Sequence, residues 1–534
     1  MSQKKCNTDI LIVGSGPTGV SAAFPLINAG LNVVMVDGGA HSESTLPSGN
    51  YTDIRNNYLN QNKIFLGNDF HAFRNLLFDN PKIRVPASSY VFSHFNKIFN
   101  IDQLNTNFQG TLSVGGFSNV WGSTVSCYNR LDFKGTVMEN VDLSMNYKTI
   151  SDRIGISGSL NDDLADYFGD NMIVQDPLAL DNVCENMYSQ YRRLKKIQKI
   201  DNVLLGHSRN AILTTSKNHR NSCVMCSMCM YGCNDHSIYR STYDLDNLKK
   251  YPNFSYISGF IVDEIKFNIK HNNTYAHFSS SVSTKLIESK QVILACGLIS
   301  TTRIVIKSLK LLEQPISFHS NPIAFFGLLN LSAIGTTHDK LGYNFGQLAY
   351  LIPNNLFDNE IFGIIYNTVG IPLWEFAANV PLTKNNARKF MRVLLPAIRV
   401  GNCYLSGHHN NHKILLRKDG SIQLTNNNGA NYAHFKVAKT KLTNFFWKLG
   451  CLLIPSSFKI LEAGSDYHYA GSLPHSHDPK PYETSIYGEL AGLNNVYVVD
   501  GSVLPKLTAK PLTFTIMANA DRIANNLIQK CYND

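Results

Sequence analysis

The sequence predicts an α/β fold in which a domain built on a parallel sheet is interleaved with an α+β domain built on an antiparallel sheet. An apolar run at residues 10–13, typical of a buried parallel strand, is followed by a glycine-rich turn and a helix-like segment. A later apolar run, at 292–297, reads as a strand that returns the chain to the same sheet, and 496–501 reads as a strand that ends in an acid and a glycine. Between them, from about residue 311 to residue 460, hairpin signals replace this pattern and indicate the second domain.

The first strand is followed by Gly14, Gly16 and Gly19, which have the spacing G-x-G-x-x-G. The first glycine allows the tight turn, the second lets the main chain approach a pyrophosphate, and the third lets the helix pack closely against the strand. Asp37 ends the second strand 18 residues after Gly19, near the offset of about 20 expected of an acid that binds a ribose hydroxyl. The pattern predicts a Rossmann-like dinucleotide site, and a glycine turn without a ligand is the minor alternative.

Composition and charge favour a globular enzyme over a nucleic-acid-binding or membrane-spanning protein. The chain has 534 residues, of which 44% are hydrophobic and 16% charged, and these proportions are typical of a globular enzyme. The net charge is +10, but the one dense basic run, 192–196, reads better as a solvated helix face than as a nucleic-acid site. A weak affinity for anionic substrates or an anionic membrane surface stays open. The sequence contains no apolar run of the roughly 20 residues that a transmembrane helix needs. The first strand begins within about ten residues of Met1, so we expect no export signal and a cytoplasmic protein.

A long polar stretch, from about residue 40 to residue 110, shows no clear period and is predicted to be a lid or extension. It leads into Gly115 and Gly116, followed by Asn119 and Trp121. Paired glycines beside small polar residues suggest a backbone that passes close to a flat ligand. A glycine-rich loop with a core tryptophan is an equally good interpretation of this segment alone.

A cysteine run lies in the middle of the chain. Cys223, Cys226, Cys229 and Cys233 have the C-x2-C-x2-C-x3-C spacing of bacterial ferredoxins, and such thiolates can hold an iron–sulfur centre. Asn234 follows the fourth cysteine where ferredoxins have proline. Four reduced thiols in a compact loop are therefore a somewhat better interpretation than a bound cluster.

The remaining elements follow from local patterns. Residues 254–266, which include Val262, read as a strand pair, and a helix is expected from about residue 300. A hairpin is predicted at 414–424, around the turn 418–421. Near the C-terminus, a final helix from 514 to about 529 is predicted directly after Pro511, because proline is favoured in the first turn of a helix.

Four separated blocks now agree, and together the chain resembles the glucose–methanol–choline (GMC) oxidoreductase family of flavoproteins. In the family these four blocks are an N-terminal glycine fingerprint, a Gly-Gly loop over the flavin, a late strand ending in Val-Asp-(Ala/Gly)-Ser and a last helix led by Asn-Pro-(Thr). A His-x-x-Gly-(Thr/Ser) element is a fifth family feature. The matching residues here are Gly14, Gly16 and Gly19, Gly115 and Gly116, Val498 to Ser502, His468 to Ser472, and Pro511 with Thr513. The matches are spread over nearly the whole chain, although 311–460 matches only in general character.

The resemblance implies non-covalent FAD and assigns residues to each part of it. In some relatives a histidine before the tryptophan of the Gly-Gly loop attaches the flavin, and Val120 stands at that position here. The implied contacts are Gly14, Gly16 and Gly19 for the diphosphate, Asp37 for the adenosine ribose, Val262 for the adenine, Gly115, Gly116 and Asn119 for the flavin, Asp500 and Gly501 for the ribityl–diphosphate arm, and Pro511 and Leu512 at the helix that points to the pyrimidine edge.

The resemblance also implies the chemistry. His468 would be the base for the substrate hydroxyl, since imidazole titrates near neutrality, while the carbon-bound hydride passes to the flavin. The second catalytic position, usually His or Asn, is Lys510 here. A desolvated lysine could hydrogen-bond the substrate or stabilise an alkoxide, or it could mark lost activity.

The implied function is FAD-dependent oxidation of a CH–OH group of a sugar, polyol or related alcohol, with an unidentified electron acceptor and no nucleic-acid partner. The alternative is a flavin-binding redox or regulatory protein without alcohol oxidation, with or without an iron–sulfur centre. Oxidase and dehydrogenase both stay open. We expect an FAD-binding domain at 1–310, which includes the lid at about 40–110 and the cysteine loop 223–233, a substrate-binding domain at 311–460, and the rest of the FAD-binding domain at 461–534.

Overall fold

A computed structural model describes the chain over residues 7–42, 46–67, 85–200, 203–268, 273–279, 284–337, 342–353, 360–373, 377, 380–408, 410–426 and 432–533. Within these ranges the strands form three sheets. Two of the sheets have seven strands and the third has five. Parts of the predicted lid, at 43–45 and 68–84, lie outside the described residues.

The first sheet is mixed. Its strands lie in the order Phe254–Ser258, Val33–Asp37, Asn7–Val13, Thr284–Leu294, Asn273–Ser279 and Ile261–Asn268. Val496–Val498 pairs with the C-terminal end of Thr284–Leu294, beyond the residues that pair with Asn273–Ser279. The pairs that involve Asn7–Val13, Val33–Asp37 and Val496–Val498 are parallel, whereas Asn273–Ser279 is antiparallel to both of its neighbours. All five residues of Val33–Asp37 are buried, as expected of a parallel strand covered on both faces.

Helices from both ends of the chain cover this sheet. Pro17–Asn28 and Thr513–Asn533 pack against each other and share an apolar core with residues of the parallel strands. A third helix, Leu298–Ser308, packs against strand Ile261–Asn268 and shares a separate apolar core with residues of the parallel strands. The N- and C-terminal segments of the chain therefore build one structural unit.

The second sheet is antiparallel throughout. Its strands lie in the order Cys451–Leu453, Ile323–Asn330, Ile398–Tyr404, Ile361–Tyr366, Gly346–Ile352 and Leu204–His207, with Lys459–Ile460 also paired to Ile323–Asn330. Residues of helices Asn182–Lys196 and Tyr432–Lys448 share its main apolar core. Helix Lys384–Leu394 contributes to a smaller core beside it.

The third sheet holds the predicted hairpin. His412–Leu416 and Ile422–Thr425 pair around the turn, as the Lys418–Asp419–Gly420–Ser421 sequence indicates. Ile316–Ser320 pairs with the first hairpin strand and with Tyr469–Ala470, and Ile101–Gln103 runs parallel to the second. This sheet therefore includes the two residues that directly follow His468.

The other described helices are short, and most of them lie between residues 51 and 248. The α-helices are Tyr51–Asn57, Gln61–Leu66, Ser89–Phe92, Phe95–Ile98, Ser144–Ile154, Ala165–Phe168 and Ser241–Leu248; the 3₁₀ turns are Pro86–Ser88, Gly116–Asn119, Leu331–Ala333, Leu395–Ala397 and Gly501–Val503.

The predicted fold class is confirmed: a Rossmann-like sheet is interleaved with an α+β part that contains an antiparallel sheet. One feature of the interleaving is not visible in the sequence pattern. Strand Leu204–His207 joins the second sheet although it precedes residue 311. The reason is that sheet edges are completed by contacts between segments distant in the chain, which local periodicity does not encode.

Candidate active site

A cavity of about 650 Å³ opens where the parallel strands of the first sheet end. Val13, Ala295 and Asp500 line it, and each lies at the C-terminal end of a strand in that sheet or within two residues after it. Ligands of open α/β sheets bind at this edge. The opposite wall includes Tyr366 and Tyr404 of the antiparallel sheet.

The glycine turn has the geometry that its spacing predicts. Gly14 has φ +108°, and a Cβ there would lie 2.4 Å from the Ala295 carbonyl oxygen. A Cβ on Gly19 would lie 2.0 Å from the Gly14 carbonyl oxygen, so the helix approaches the turn too closely for any side chain. By contrast, a Cβ on Gly16 would meet nothing within 4 Å, and Gly16 lines the cavity. The open space beside Gly16, at the start of helix Pro17–Asn28, suits a diphosphate.

Asp37 lines the cavity at the end of the second strand. One of its carboxylate oxygens accepts hydrogen bonds from the Tyr256 hydroxyl, at 2.7 Å, and from the Gly39 N–H, at 2.9 Å. The other oxygen accepts a hydrogen bond from the Ser15 hydroxyl. Burial raises the pKa of Asp37 above its ordinary value, and these hydrogen bonds oppose that effect.

The Gly-Gly loop packs directly on the glycine turn. Gly115 and Gly116 have φ +81° and +58°, and the Gly115 N–H donates to the Ser15 hydroxyl at 2.9 Å. The Asn119 amide nitrogen donates to the carbonyls of Val114 and Gly116 at 2.8 and 2.9 Å, which holds the loop closed. Gly116 and Asn119 line the cavity, whereas Gly115 lies behind this wall, against Thr242.

Val262 is buried and lines the cavity beyond Asp37. Its carbonyl accepts a hydrogen bond from Arg303, whose guanidinium also pairs with Asp263 at 3.0 Å. These contacts fix the main chain at Val262.

The C-terminal segment closes the other side of the cavity. Asp500 is buried, and one carboxylate oxygen accepts from the Gly297 N–H at 2.9 Å and from the Thr301 hydroxyl at 2.5 Å. Burial raises the pKa of Asp500, and hydrogen bonds from Ser502 and Thr301 oppose that effect.

The last helix, Thr513–Asn533, begins at the cavity. Gly501, Leu512 and Thr513 line the wall. Pro511 lies directly before Leu512, and its carbonyl accepts a hydrogen bond from the Ser126 hydroxyl at 3.3 Å. N–H groups in the first turn of a helix have no partner within that helix, so this helix start can face an electron-rich ligand edge.

His468 lies in the wall of the same cavity and is half-buried. Its ring stacks on that of Tyr404, with centroids 5.4 Å apart and an interplanar angle of 24°. Its Nδ1 lies 3.2 Å from the side-chain oxygen of Asn321.

Asn321 determines which nitrogen of His468 carries the hydrogen. The Asn321 amide nitrogen donates to the Leu405 and Thr508 carbonyls, both at 2.8 Å, so the atom that faces His468 must be the amide oxygen. Because that oxygen only accepts hydrogen bonds, His468 Nδ1 carries a hydrogen and donates it. Nε2 is then the ring nitrogen with the lone pair and can accept a proton.

Asp466 fixes the backbones of Asn321 and His468 relative to each other. One of its carboxylate oxygens accepts from the backbone N–H groups of both Asn321 and His468, at 2.9 and 3.0 Å, and the other accepts from the Ser320 hydroxyl at 2.7 Å. Sequence reasoning missed Asn321, Asp466 and Tyr404. The Asp-x-His spacing was the available signal for Asp466, because an aspartate side chain often accepts from the N–H two residues on.

The structure places the Lys510 side chain beside a buried carboxylate, and Lys510 is not among the residues that line the cavity. Lys510 is 2% exposed, and its ammonium donates to Asp132 at 2.7 Å and to the Cys127 carbonyl at 3.3 Å. The ammonium also lies 4.7 Å from the centre of the Tyr167 ring. An ammonium buried this deeply requires its counter-ion, so the side chain turns away from the cavity.

The structure also does not support a metal site at the four cysteines. Over the described residues, no three His, Cys, Asp or Glu side chains are placed to hold a metal ion. Cys223, Cys229 and Cys233 pack instead against a small apolar cluster, made of Leu178, Ile212, Ile238 and Tyr343. Burial raises the pKa of Cys223 to about 11, which favours the thiol over the thiolate. Cys229 is the member of the run that lines the cavity.

Comparisons with known proteins concern one segment of the chain and its overall fold. Residues 457–520 match a family model described as GMC oxidoreductase, and this segment contains His468, Asp500 and the approach to the last helix. No curated protein sequence matches the chain. Among solved structures, pyridoxine 4-oxidase from Mesorbium loti has the same fold, with a TM-score of 0.60, 12% sequence identity and coverage of 97% of this chain and 99% of that one. In the described part of the chain, no helix is long and apolar enough to cross a membrane.

Proposed function

We propose, from the membership of this chain in the GMC oxidoreductase family, that it oxidises a CH–OH group of a sugar, polyol or related alcohol with FAD as cofactor. The observation that carries the proposal is the pair His468–Asn321 in the wall of a cavity that begins at the glycine turn. This pair provides a proton acceptor at Nε2, and the turn provides room for a dinucleotide.

The residues at the cavity fit FAD. The space beside Gly16 would take the diphosphate, Asp37 the adenosine ribose and Val262 the adenine. Gly116 and Asn119 would border the flavin, and Leu512 would bring the start of the last helix to it. Val120 offers no nucleophile for attachment, which supports non-covalent binding.

When bound, FAD supplies the acceptor for the hydride that leaves the alcohol carbon. His468 accepts the hydroxyl proton at Nε2, and the Asn321 oxygen stabilises the resulting imidazolium through the Nδ1–H hydrogen bond. Tyr404 packs on the imidazole face and limits the rotation of the ring. The first turn of Thr513–Asn533 stabilises negative charge that develops opposite it.

The interleaved topology supports the proposed domain division. The FAD-binding domain would comprise residues 1–310 and 461–534, and the substrate-binding domain 311–460. In support, the first sheet combines strands from both ends of the chain, and six of the seven strands of the second sheet lie between residues 323 and 460. We also propose a cytoplasmic location, on the unpaired state of the described cysteines.

The test is the visible spectrum of the purified protein, followed by an anaerobic screen of sugars, polyols and simple alcohols. We expect yellow flavin bands and bleaching of these bands by at least one hydroxyl compound. Absence of flavin after addition of FAD would contradict the cofactor. Bound flavin that dithionite reduces, but no alcohol does, would contradict the reaction and favour a redox protein instead.

A further inference from the structure

Apolar side chains are exposed together on one face of the second domain. They lie on helix Lys384–Leu394, just before it, and on the nearby turn that starts with 3₁₀ segment Leu331–Ala333. Each is between 41% and 50% exposed. We call this surface the apolar patch; its members are Leu331, Ile334, Leu382, Phe390 and Val393.

The patch is separate from the core face of the helix. Ala387 and Met391 are buried and pack towards Leu373 and Ile398. Phe390 and Val393, three residues apart, lie together on a different side of the helix. The helix therefore has a second apolar side that no described residue covers.

Backbone hydrogen bonds connect the turn that carries Leu331 and Ile334 with the end of the helix that carries Val393. The Gly335 N–H donates to the Val393 carbonyl at 3.0 Å, which joins the turn to the end of the helix. The Leu331 N–H donates to the Gly450 carbonyl at 3.2 Å, and the Gly450 N–H donates to the Trp447 carbonyl at 3.0 Å. Trp447, which is 60% exposed, thus flanks the patch.

Among the described residues, the charged side chains of helix Lys384–Leu394 itself all have one sign. The helix carries four cations, at Lys384, Arg388, Lys389 and Arg392, and no Asp or Glu occurs between residues 377 and 418. The described structure shows no ion pair to any of the four. Helix Asn182–Lys196 reaches this region through Asn186, which donates to the Ser332 hydroxyl at 3.2 Å, and its acid Glu185 accepts a hydrogen bond from Ser189.

We propose that the apolar patch and its cations form a docking surface for an anionic lipid bilayer. Exposed aromatic and aliphatic side chains beside Lys and Arg, without acids, are the features of a helix that lies in a membrane interface. The aliphatic side chains and Phe390 enter the headgroup boundary, and the cations contact lipid phosphates. This inference does not depend on the proposed reaction.

The docking surface lies behind one wall of the cavity. The Thr368 hydroxyl donates to the carbonyl of Ile398, which packs near the helix, at 3.0 Å. Asn367 and Val400, one and two residues away from this contact, line the cavity. Docking therefore holds the antiparallel-sheet wall of the cavity next to the bilayer.

The experiment is co-sedimentation of the full FAD-loaded chain with two kinds of vesicle, pure phosphatidylcholine and phosphatidylcholine containing about one third phosphatidylglycerol. We expect the protein to sediment with the anionic vesicles, less so as the salt concentration rises, and little with the neutral vesicles.

The variant Phe390→Asp/Val393→Asp should bind the anionic vesicles at least about tenfold more weakly than the parent, because two apolar side chains are lost and two acids are added. The matched control is Leu104→Asp/Leu131→Asp, which changes exposed leucines outside the patch and should bind like the parent.

Equal thermal unfolding of parent and variants checks that the fold is intact. The proposal is overturned if the parent stays in the supernatant with both vesicles, or if the patch variant and the control sediment equally. It is also overturned if the parent binds an acidic polypeptide such as polyglutamate but neither vesicle, because the surface would then serve an acidic protein.

Discussion

The Nδ1 atom of His468 lies 3.2 Å from the side-chain oxygen of Asn321, whose amide nitrogen is held by two backbone carbonyls. The amide cannot turn over without placing its oxygen against the carbonyls of Leu405 and Thr508. One hydrogen bond therefore fixes the tautomer of the imidazole, and the carbonyls fix that hydrogen bond. The availability of Nε2 as a proton acceptor therefore depends on main-chain atoms of Leu405 and Thr508, which are not among the residues that line the cavity.

The first prediction concerns His468 itself. His468→Ala should slow alcohol-driven bleaching of bound flavin by about a hundredfold or more, the usual scale for loss of general base catalysis. Anaerobic stopped-flow absorbance measures this rate directly. The matched control is His477→Ala, which removes an exposed histidine from the following loop and should leave the rate unchanged. Equal rates in the parent and His468→Ala would show that another group accepts the proton.

The second prediction concerns Asn321. Asn321→Leu removes the acceptor for the Nδ1 hydrogen, so the imidazole can adopt the other tautomer and bleaching should slow by about tenfold or more. The FAD content per folded molecule should stay the same. ¹⁵N NMR of labelled histidine should report Nδ1–H in the parent and a tautomer mixture in the variant. A variant with parental tautomer and parental pH–rate profile would restrict Asn321 to a purely structural role.

The parts of the fold that the sequence predicts are those encoded locally. The glycine turn and Asp37 lie within one β-α-β unit, so their spacing alone contains the geometry. Asn321 and His468 are 147 residues apart, and no periodicity relates them. Their contact exists because strand Ile316–Ser320 pairs with Tyr469–Ala470, a pairing that depends on tertiary structure.

Lys510 also shows that local sequence does not encode contacts between distant residues. The family resemblance assigns it to the active site because it stands directly before Pro511, and the start of the last helix does line the cavity. The partner that withdraws it, Asp132, lies 378 residues earlier in the chain. The local sequence around Lys510 does not show this carboxylate. A lysine in a buried ion pair therefore cannot be told from a catalytic lysine by sequence alone.

The third prediction compares two glycines of the turn. Gly16→Ala should fold normally, since φ is −65° and a Cβ there meets nothing within 4 Å, but it should weaken FAD binding by filling the diphosphate space. Gly19→Ala should instead destabilise the fold, because its Cβ would lie 2.0 Å from a backbone oxygen. FAD titration and thermal unfolding of both variants separate the two effects. Normal FAD affinity in Gly16→Ala would contradict the assigned diphosphate site.

The fourth prediction tests the buried ion pair of Lys510 and Asp132. Lys510→Met leaves the carboxylate buried without its cation and should lower the free energy of unfolding by about 3–5 kcal/mol. The double variant Lys510→Met/Asp132→Asn removes both charges and should recover much of that loss. Urea unfolding measures both. The bleaching rate per folded, flavin-loaded molecule should stay near the parental value, whereas a hundredfold loss in the double variant would return Lys510 to the catalytic residues.

The fifth prediction concerns pH. His475 is buried, and its Nδ1–H donates to the Ser485 carbonyl at 2.7 Å, while Nε2 accepts from the Asn519 amide at 3.1 Å. Burial, assisted by the charge of Arg522, lowers the pKa of His475 to about 3. The unfolded chain binds this proton near pH 6.5, so the folded state is stabilised fully above that pH and progressively less as the pH falls towards 3.

Between pH 7 and pH 5, His475 should therefore cost the parent about 2 kcal/mol of unfolding free energy. The side chain of the His475→Gln variant cannot titrate. The unfolding free energy of this variant should therefore fall by about 2 kcal/mol less than that of the parent over the same pH interval, although the variant is less stable at pH 7. Urea unfolding of parent and variant at each pH gives the two slopes, and their difference removes the contributions of other buried groups such as His412. Parallel slopes would mean that His475 takes up its proton without unfolding, through a local opening between its loop and helix Thr513–Asn533.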